Sequence, residues 1–184
     1  MTIPNVVTIA RLLLVPLVVW ALLGRQVGWA LAAFALAGAS DGVDGFIARQ
    51  FNQRSQLGAC LDPLADKLLL VSVFVMLGYM GALPAWLVIL AVSRDALILC
   101  AVVLSNLMGH PVAMRPLLVS KANTAVQIGL AAIVLADLAF GLGLADLCWG
   151  LAILSGALTV ASAAAYLLVW LTHMDGYAET DNKG

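Results

Sequence analysis

The segment that decides the fold and the chemistry of this chain is "SDGVDGFIARQFNQRSQLGACLDPLADK", residues 40–67. It holds four aspartates and three basic residues, although the whole chain is 64% hydrophobic and only 10% charged. A carboxylate close to hydrocarbon is costly unless a partner stabilises it. We therefore expect the partner of these aspartates to define the function.

The composition of the chain is typical of an integral membrane protein. Its mean hydropathy over 184 residues is +1.06, far above that of a soluble domain. A membrane span needs about 20 apolar residues, and we predict an all-α protein with six transmembrane helices and an active-site cleft at the cytoplasmic side. The N-terminal run contains Arg11 and no small-residue cleavage pattern, which predicts a retained helix rather than a signal peptide. The predicted spans are residues 6–24, 27–47, 62–81, 83–108, 117–140 and 147–173, in one domain of residues 1–173 followed by a polar tail of residues 174–184.

The basic residues between the predicted spans indicate the orientation. With six spans, both termini lie on the same side as Arg49, Arg54, Arg115 and Lys121, whereas the other side carries Arg25. Basic loops are enriched on the cytoplasmic side of membrane proteins. We therefore predict an inner-membrane protein whose termini and active site face the cytoplasm.

Two classes of site find no support in the sequence. The formal net charge of −1 gives no indication of nucleic-acid binding. The three cysteines, Cys60, Cys100 and Cys148, are widely spaced and form no CxxC pair, so neither a disulfide framework nor a zinc site is indicated. His110 and His173 carry no readable role.

The first half of the charged segment places its acidic residues on one face of a helix. At about 100° per residue, Asp41, Asp44, Gly45 and Ala48 share a narrow face, with Arg49 at its edge. The two small residues leave room for a ligand against the backbone, or they simply allow helices to pack closely. This face is the first candidate wall of a site.

The second half repeats the pattern on the next helix, where Gly58, Asp62 and Asp66 recur at i, i+4 and i+8. Two antiparallel helices would present two aspartates each across a common cleft. Four carboxylates repel one another strongly unless a cation neutralises them, and oxygen ligands suit magnesium, manganese or calcium. Four aspartates are enough to hold two divalent ions, the usual arrangement for stabilising phosphoryl chemistry.

The eight spaced residues of this segment resemble the signature of the CDP-alcohol phosphatidyltransferase family, D-x2-D-G-x2-A-R-x8-G-x3-D-x3-D. The resemblance implies a six-helix membrane enzyme, usually a homodimer, that transfers a phosphatidyl or similar group from a CDP-linked donor to an alcohol and releases CMP. It also implies two divalent cations, Mg²⁺ or Mn²⁺. Carried across by position, it implies metal ligation by Asp41, Asp44, Asp62 and Asp66, general-base catalysis by Asp66, and CDP binding by Gly45, Ala48, Arg49 and Gly58.

The N-terminal stretch "IPNVVTIAR" resembles an opening common in bacterial members of this family. The resemblance implies that Asn5, Thr8 and Arg11 lie near the nucleotide. Asn5 is equally consistent with a helix cap, and Arg11 with a side chain that extends toward the lipid head groups.

Two further polar groups bear on the acceptor. Arg94 and Asp95 fall deep within the fourth predicted span, a costly position for ions. They form either a self-satisfying structural pair or a site in which Arg94 meets a phosphate of the acceptor, since arginine suits bidentate phosphate contacts.

The other polar group lies in "MRPLLVSKANTAVQ", residues 114–127. Arg115 and Lys121 can form a basic pocket for an anionic acceptor, with Asn123 and Gln127 on the helix that follows. Anchoring to the cytoplasmic surface explains Arg115 equally well, but it does not explain the amide side chains.

Within the family, the sequence looks most like the CMP-forming cardiolipin synthases. That resemblance implies transfer of the phosphatidyl group of CDP-diacylglycerol to phosphatidylglycerol. The alternative is phosphatidylglycerophosphate synthesis with glycerol 3-phosphate as acceptor, although those enzymes more often show a lysine at the position of Asn123. An alternative of another class is a cation transporter, because carboxylates within a membrane also mark ion paths.

Overall fold

The structure is a computed structural model that describes the backbone of residues 3–51, 56–107 and 118–181, and the side chains of residues 10–40, 65–101 and 118–168. Within these ranges the chain is all-α, as predicted, while the six membrane crossings and the cytoplasmic cleft stay predictions. The described residues form six helices: α1 (Ile3–Leu23), α2 (Val27–Phe51), α3 (Gln56–Tyr79), α4 (Ala85–Leu107), α5 (Leu118–Phe140) and α6 (Ala145–Asp181).

Each predicted span falls largely on one helix, but four helices are longer than their apolar windows, among them α3 and α6. Helix α3 begins at Gln56, ahead of the predicted start at residue 62, and α6 continues to Asp181 through most of the predicted polar tail. An apolar window marks where side chains avoid water, whereas the backbone hydrogen bonds of a helix can continue into polar sequence.

Short turns join the helices in pairs, and each of the three contains a left-handed residue; after α5 these are Gly141 and Gly143, with φ 64° and 71°. Gly81 ends α3 with φ 75°, a conformation that costs glycine little. Arg25 adopts the same conformation after α1, with φ 54°, and the N–H of Gln26 donates to the carbonyl of Ala21 at 2.8 Å. Each pair of helices is therefore antiparallel.

The helices pack so that the three short connections lie at one end of the bundle. Helix α1 packs against α2 and α3, α5 against α2 and α6, and α4 against α6. Helices α4 and α6 run parallel, since Gly156 lies against Trp86 and Ser162 lies against Arg94. The Arg11–Asp66 pair lies in the N-terminal half of both α1 and α3, as in a parallel pair. We call the end with the connections the connection end, and the opposite end, which carries residues 41–51 and 56–66, the signature end.

The core between the helices is apolar and tightly packed. Its largest fully buried side chains are Phe74, Leu77, Leu87, Leu130 and Leu135. Buried alanines on α2 allow its neighbours to approach closely. The core fixes the relative positions of the helices that carry the polar residues.

The outer surface is also apolar, as expected for a protein in contact with lipid. Large side chains such as Leu36, Leu97 and Leu167 are more than half exposed. Among the described residues, Leu118–Phe140 and Ala145–Leu168 are long and apolar enough to cross a membrane. Together these features indicate membrane association. Exposed aromatic residues lie near the three short connections, as in the aromatic belts of membrane proteins: Trp20, Trp29, Tyr79, Trp86, Phe140 and Trp149.

Candidate active site

The two halves of the signature lie on α2 and α3, toward the signature end. The backbone of α2 carries Asp41 and Asp44, and that of α3 carries Asp62 and Asp66. A helical backbone at these positions supports the prediction that the two aspartates of each helix lie on one face, because residues three and four apart share a face. The side chains of residues 41–64 lie outside the described set, so the predicted cleft between them remains a prediction, as do the positions of Gly45, Ala48, Arg49 and Gly58 in it.

Asp66 is the signature aspartate whose side chain the structure describes, and it forms an ion pair with Arg11. Arg11 Nη1 lies 2.6 Å from Asp66 Oδ1. The arginine side chain is 2% exposed, whereas the aspartate side chain is 43% exposed. The alternative in which Arg11 extends to the lipid head groups is therefore wrong. A buried cation instead holds one oxygen of a carboxylate that remains accessible.

A second charged cluster joins α3, α4, α5 and α6. Arg94 Nη1 donates to Asp95 Oδ1 at 2.7 Å, and Lys67 Nζ donates to the same oxygen at 2.6 Å. Arg94 Nη2 also donates to Ser120 Oγ at 2.5 Å and to Ser162 Oγ at 2.7 Å. We call these five residues the Arg94 cluster. Its two cations and one anion sum to one positive charge.

The guanidinium of Arg94 is almost fully enclosed, with a residue exposure of 3%. It also donates through Nε to Ser162 at 3.3 Å and lies 5.8 Å from the centre of the Tyr166 ring, within the range of a cation–π interaction. The ion pair between Arg94 and Asp95, one of the two alternatives predicted for these residues, is present. A guanidinium has five N–H groups, and the bonds named here occupy four of them, so Nη1 retains a donor beyond those bonds.

A neutral polar network continues along α5 and α6. Thr159 Oγ1 lies 3.0 Å from Asn123 Oδ1 and 2.7 Å from the carbonyl oxygen of Ser155, and its single hydroxyl proton is donated to one of these two acceptors at a time. Gln127 Nε2 lies 3.4 Å from Thr159 Oγ1. Asn123 and Gln127 are both buried, at 0% and 3% exposure, and within the described residues the Nδ2 group of Asn123 has no hydrogen-bond partner.

The sequence matches the CDP-alcohol phosphatidyltransferase family over residues 1–174. The chain belongs to this family. Since its members are phosphatidyltransferases, membership sets aside the transporter alternative. Members of the family generally depend on divalent cations.

Curated relatives of the chain are named as cardiolipin synthases. The CMP-forming cardiolipin synthase of Streptomyces coelicolor is 42% identical over 117 residues, 60% of this chain and 54% of the relative. That of Homo sapiens is 38% identical over 151 residues, 73% of this chain and 50% of the relative. A probable CMP-forming cardiolipin synthase of Drosophila melanogaster is 33% identical over 193 residues, 91% of this chain and 57% of the relative. The chain thus spans about half the length of the curated relatives it matches.

The predicted acceptor residues of this family member fall into different environments. Arg94, Asn123 and Gln127 face the interior between α4, α5 and α6. Lys121 is exposed. The structure therefore brings three of the predicted residues into one buried region and leaves Lys121 at the surface, while the side chains of Arg115, Asn5, Thr8, His110 and His173 lie outside the described set.

Four residues of these clusters were missed as site candidates: Lys67, Ser120, Thr159 and Ser162. Lys67 directly follows the last signature aspartate. Thr159 and Ser162 continue a stripe from Ser155 with spacings of four and three residues, a helical spacing that marks one polar face in an apolar helix. Both the position of Lys67 and the polar spacing on α6 are visible in the sequence. The partner of Arg11 depends on how α1 packs against α3, which no local pattern reveals.

The donors of the signature fit a hard divalent cation. All four side chains are carboxylates, which match the oxygen preference of Mg²⁺ and Mn²⁺. Within the described side chains no group of three or more His, Cys, Asp or Glu residues lies close enough to hold a metal ion. Three of the four signature aspartates lie outside that set.

Proposed function

We propose that this protein transfers the phosphatidyl group of CDP-diacylglycerol to the free glycerol hydroxyl of phosphatidylglycerol, forming cardiolipin and CMP. The curated relatives named as CMP-forming cardiolipin synthases support the choice of reaction. The observation that carries the chemistry is the accessible carboxylate of Asp66, held at 2.6 Å by the buried Arg11. A general base must be both oriented and within reach of its substrate.

In the proposed reaction Asp66 acts on the acceptor. Its carboxylate accepts the proton of the glycerol hydroxyl as that oxygen attacks the β-phosphorus of CDP-diacylglycerol. The bond from this phosphorus to the bridging diphosphate oxygen breaks, and CMP leaves with the bond electrons. Arg11 acts as a positioning residue, because its ion pair restricts the orientation of the carboxylate.

Two divalent cations, Mg²⁺ or Mn²⁺, would be held by Asp41, Asp44, Asp62 and Asp66. When bound, these cations would neutralise the charge of the diphosphate and stabilise CMP as a leaving group. The small residues Gly45, Ala48 and Gly58 would admit the nucleotide against the backbone. Arg49, Asn5 and Thr8 complete the proposed CDP site.

The proposed acceptor site uses the positive charge of the Arg94 cluster. A phosphodiester bears one negative charge, which one additional cation complements. Asn123 and Gln127 offer neutral hydrogen-bonding groups beside it. Arg115 and Lys121 would contribute from the membrane surface.

We further propose that the six helices cross the inner membrane with the termini and the cleft on the cytoplasmic side, and that the protein is a homodimer. The apolar exterior and the aromatic residues near the connection end support the membrane placement. Both substrates are lipids, so the site must open laterally to the bilayer.

The test uses the purified protein in nanodiscs with CDP-diacylglycerol and Mg²⁺ or Mn²⁺. Phosphatidylglycerol and glycerol 3-phosphate are offered separately, and CMP and lipid products are followed by mass spectrometry. We expect cardiolipin with phosphatidylglycerol, loss of product with Asp66→Asn or with a chelator, and normal product with Asp146→Asn, an exposed aspartate near the connection end. Product with glycerol 3-phosphate alone would refute the acceptor but not the phosphatidyl transfer.

A further inference from the structure

The accessible positive charge of the Arg94 cluster lies on Lys67. The side chain of Lys67 is 37% exposed, whereas those of Arg94 and Asp95 are 3% and 16% exposed. Arg94 also lines a groove of about 520 Å³ between α4 and α6, but the accessible wall of this groove is almost wholly apolar. An anion that approaches the cluster from outside therefore meets the ammonium group of Lys67.

The ion pairs of the cluster make Lys67 the surplus cation. Arg94 Nη1 lies 2.7 Å from Asp95 Oδ1, so the carboxylate already has a buried counter-charge. Lys67 Nζ lies 2.6 Å from the same oxygen, and this bond uses one of the three donors of an ammonium group. Neutralising Asp95 requires only one cation, so the charge and the remaining donors of Lys67 are available for a ligand.

Asp95 holds this ammonium group in a defined position. A lysine side chain is flexible and loses rotamer freedom when it binds a ligand. Asp95 is anchored by Arg94, which in turn donates to Ser120 on α5 and to Ser162 on α6. Because the lysine is ordered before a ligand arrives, the entropic cost of binding is reduced.

Lys67 directly follows Asp66, the proposed general base, and a different helix orients each of the two side chains. Asp66 pairs with Arg11 on α1, and Lys67 pairs with Asp95 on α4. Both side chains stay partly accessible, at 43% for Asp66 and 37% for Lys67. A carboxylate beside an ammonium group matches an acceptor in which one glycerol unit joins the reacting hydroxyl to a phosphate ester.

The position of Lys67 on α3 separates it from the proposed donor site. At about 100° per residue, Lys67 is turned away from the face that Asp62 and Asp66 share, and its ion pair places it toward α4. The attacking and leaving oxygens of a phosphoryl transfer lie roughly in line on opposite sides of the phosphorus. The aspartate face therefore suits the donor, and the face toward α4 suits the acceptor.

We propose that Lys67 binds the phosphate ester of the acceptor beside the base Asp66. A phosphate ester next to a glycerol hydroxyl is common to phosphatidylglycerol and glycerol 3-phosphate, and the choice of phosphatidylglycerol rests on the proposed function. Arg94 stays in the interior and acts through Asp95.

The test is a kinetic comparison in phosphatidylcholine nanodiscs, in which the mole fractions of phosphatidylglycerol and CDP-diacylglycerol are varied in turn. Lys67→Met should raise the KM for phosphatidylglycerol about tenfold, which corresponds to about 1.4 kcal/mol, because a hydrogen bond between charged groups is lost. The KM for CDP-diacylglycerol should not change. Lys67→Arg keeps the positive charge and should restore most of the affinity for phosphatidylglycerol.

Arg25→Met is the matched control. It removes one exposed cation at the connection end and should leave both KM values unchanged, which separates a local contact from the general attraction between an anionic lipid and a basic surface. Lys67→Met should fold, because a partly exposed ion pair contributes little to stability. Lys67→Gln provides a second variant if Lys67→Met does not fold.

A binding measurement without turnover uses glycerophosphoglycerol, the deacylated head group of phosphatidylglycerol. Saturation-transfer difference NMR of the protein in detergent should show binding to the wild type and to Arg25→Met, and strongly reduced binding to Lys67→Met. The zwitterionic head group glycerophosphocholine should give a weaker signal that does not depend on Lys67.

Where the wild type forms cardiolipin, the KM values decide. An unchanged KM for phosphatidylglycerol in Lys67→Met, a raised KM for CDP-diacylglycerol in its place, or equal effects of Lys67→Met and Arg25→Met would overturn the role of Lys67 and leave the proposed function standing. Where no cardiolipin is formed, the proposed function fails and head-group binding decides. Binding that depends on Lys67 then supports its role, and binding that is absent or independent of Lys67 refutes it.

Discussion

Asp95→Asn should destabilise the protein strongly, because Asp95 is the one anion of the Arg94 cluster. Its Oδ1 accepts from Arg94 at 2.7 Å and from Lys67 at 2.6 Å. The asparagine keeps the shape but removes the charge, so two cations would then face each other across a neutral amide. The effect should be larger than for any exposed aspartate of the same chain.

The size of the effect follows from the burial of the partners. The side chains of Arg94 and Asp95 are 3% and 16% exposed, close to the situation in which loss of one partner costs about 3–5 kcal/mol. Lys67 is 37% exposed, so its pairing resembles a surface ion pair worth about 0–1 kcal/mol. Because Ser120 and Ser162 still bind Arg94, we expect a total loss of about 2–4 kcal/mol. At roughly 2–4 °C per kcal/mol for a chain of this size, Tm should fall by about 5–15 °C.

The assay is thermal unfolding in detergent followed by far-ultraviolet circular dichroism. Asp146→Asn is the matched control, since Asp146 is exposed in the first turn of α6 and its interaction with the helix dipole is worth about 0.3–1 kcal/mol. Lys67→Met should also have a small effect because of its exposure. Equal Tm values for Asp95→Asn and Asp146→Asn would refute the assignment of the cluster as a buried ion-pair network.

Two further predictions concern packing and backbone conformation. A Cβ atom at Gly156 would lie 2.6 Å from the Trp86 ring, whereas one at Gly150 would have no neighbour within 4 Å. Gly156→Ala should therefore destabilise the protein by about 1–3 kcal/mol, and Gly150→Ala should stabilise it by about 0.5–1 kcal/mol. Thermal unfolding compares the two variants, and equal changes in Tm would contradict the α4–α6 contact. Arg25→Gly should stabilise by about 1 kcal/mol because φ at this position is 54°, and an unchanged or lower Tm would contradict the left-handed turn.

The positions of the helices could be predicted from the sequence because the signal is local. Each apolar window of about 20 residues forms a helix to satisfy its own backbone, and each window lies on one observed helix. The extension of α6 to Asp181 had no such signal, since polar sequence is compatible with both helix and coil.

The charged clusters were only partly predictable, for a reason that the Arg11–Asp66 pair makes clear. These residues are far apart in sequence, and their contact depends on α1 and α3 running parallel in one register. The pairing of Arg94 with Asp95 was one of the two alternatives that the sequence left open, because the two residues are adjacent. Lys67, Ser120 and Ser162 come from three other helices, so their arrival at Arg94 depends on tertiary packing.

The burial of the Arg94 cluster is better explained by function than by stability. Replacing a buried ion pair with well-packed apolar residues is often neutral or stabilising, and in a membrane environment ions carry a further cost. We therefore expect well-packed leucine or methionine residues to give equal or higher stability at these positions. It does fix one net positive charge beside an apolar groove and next to the helix that carries Asp66. The proposed acceptor bears a phosphodiester, and one net positive charge fixed near Asp66 would complement it.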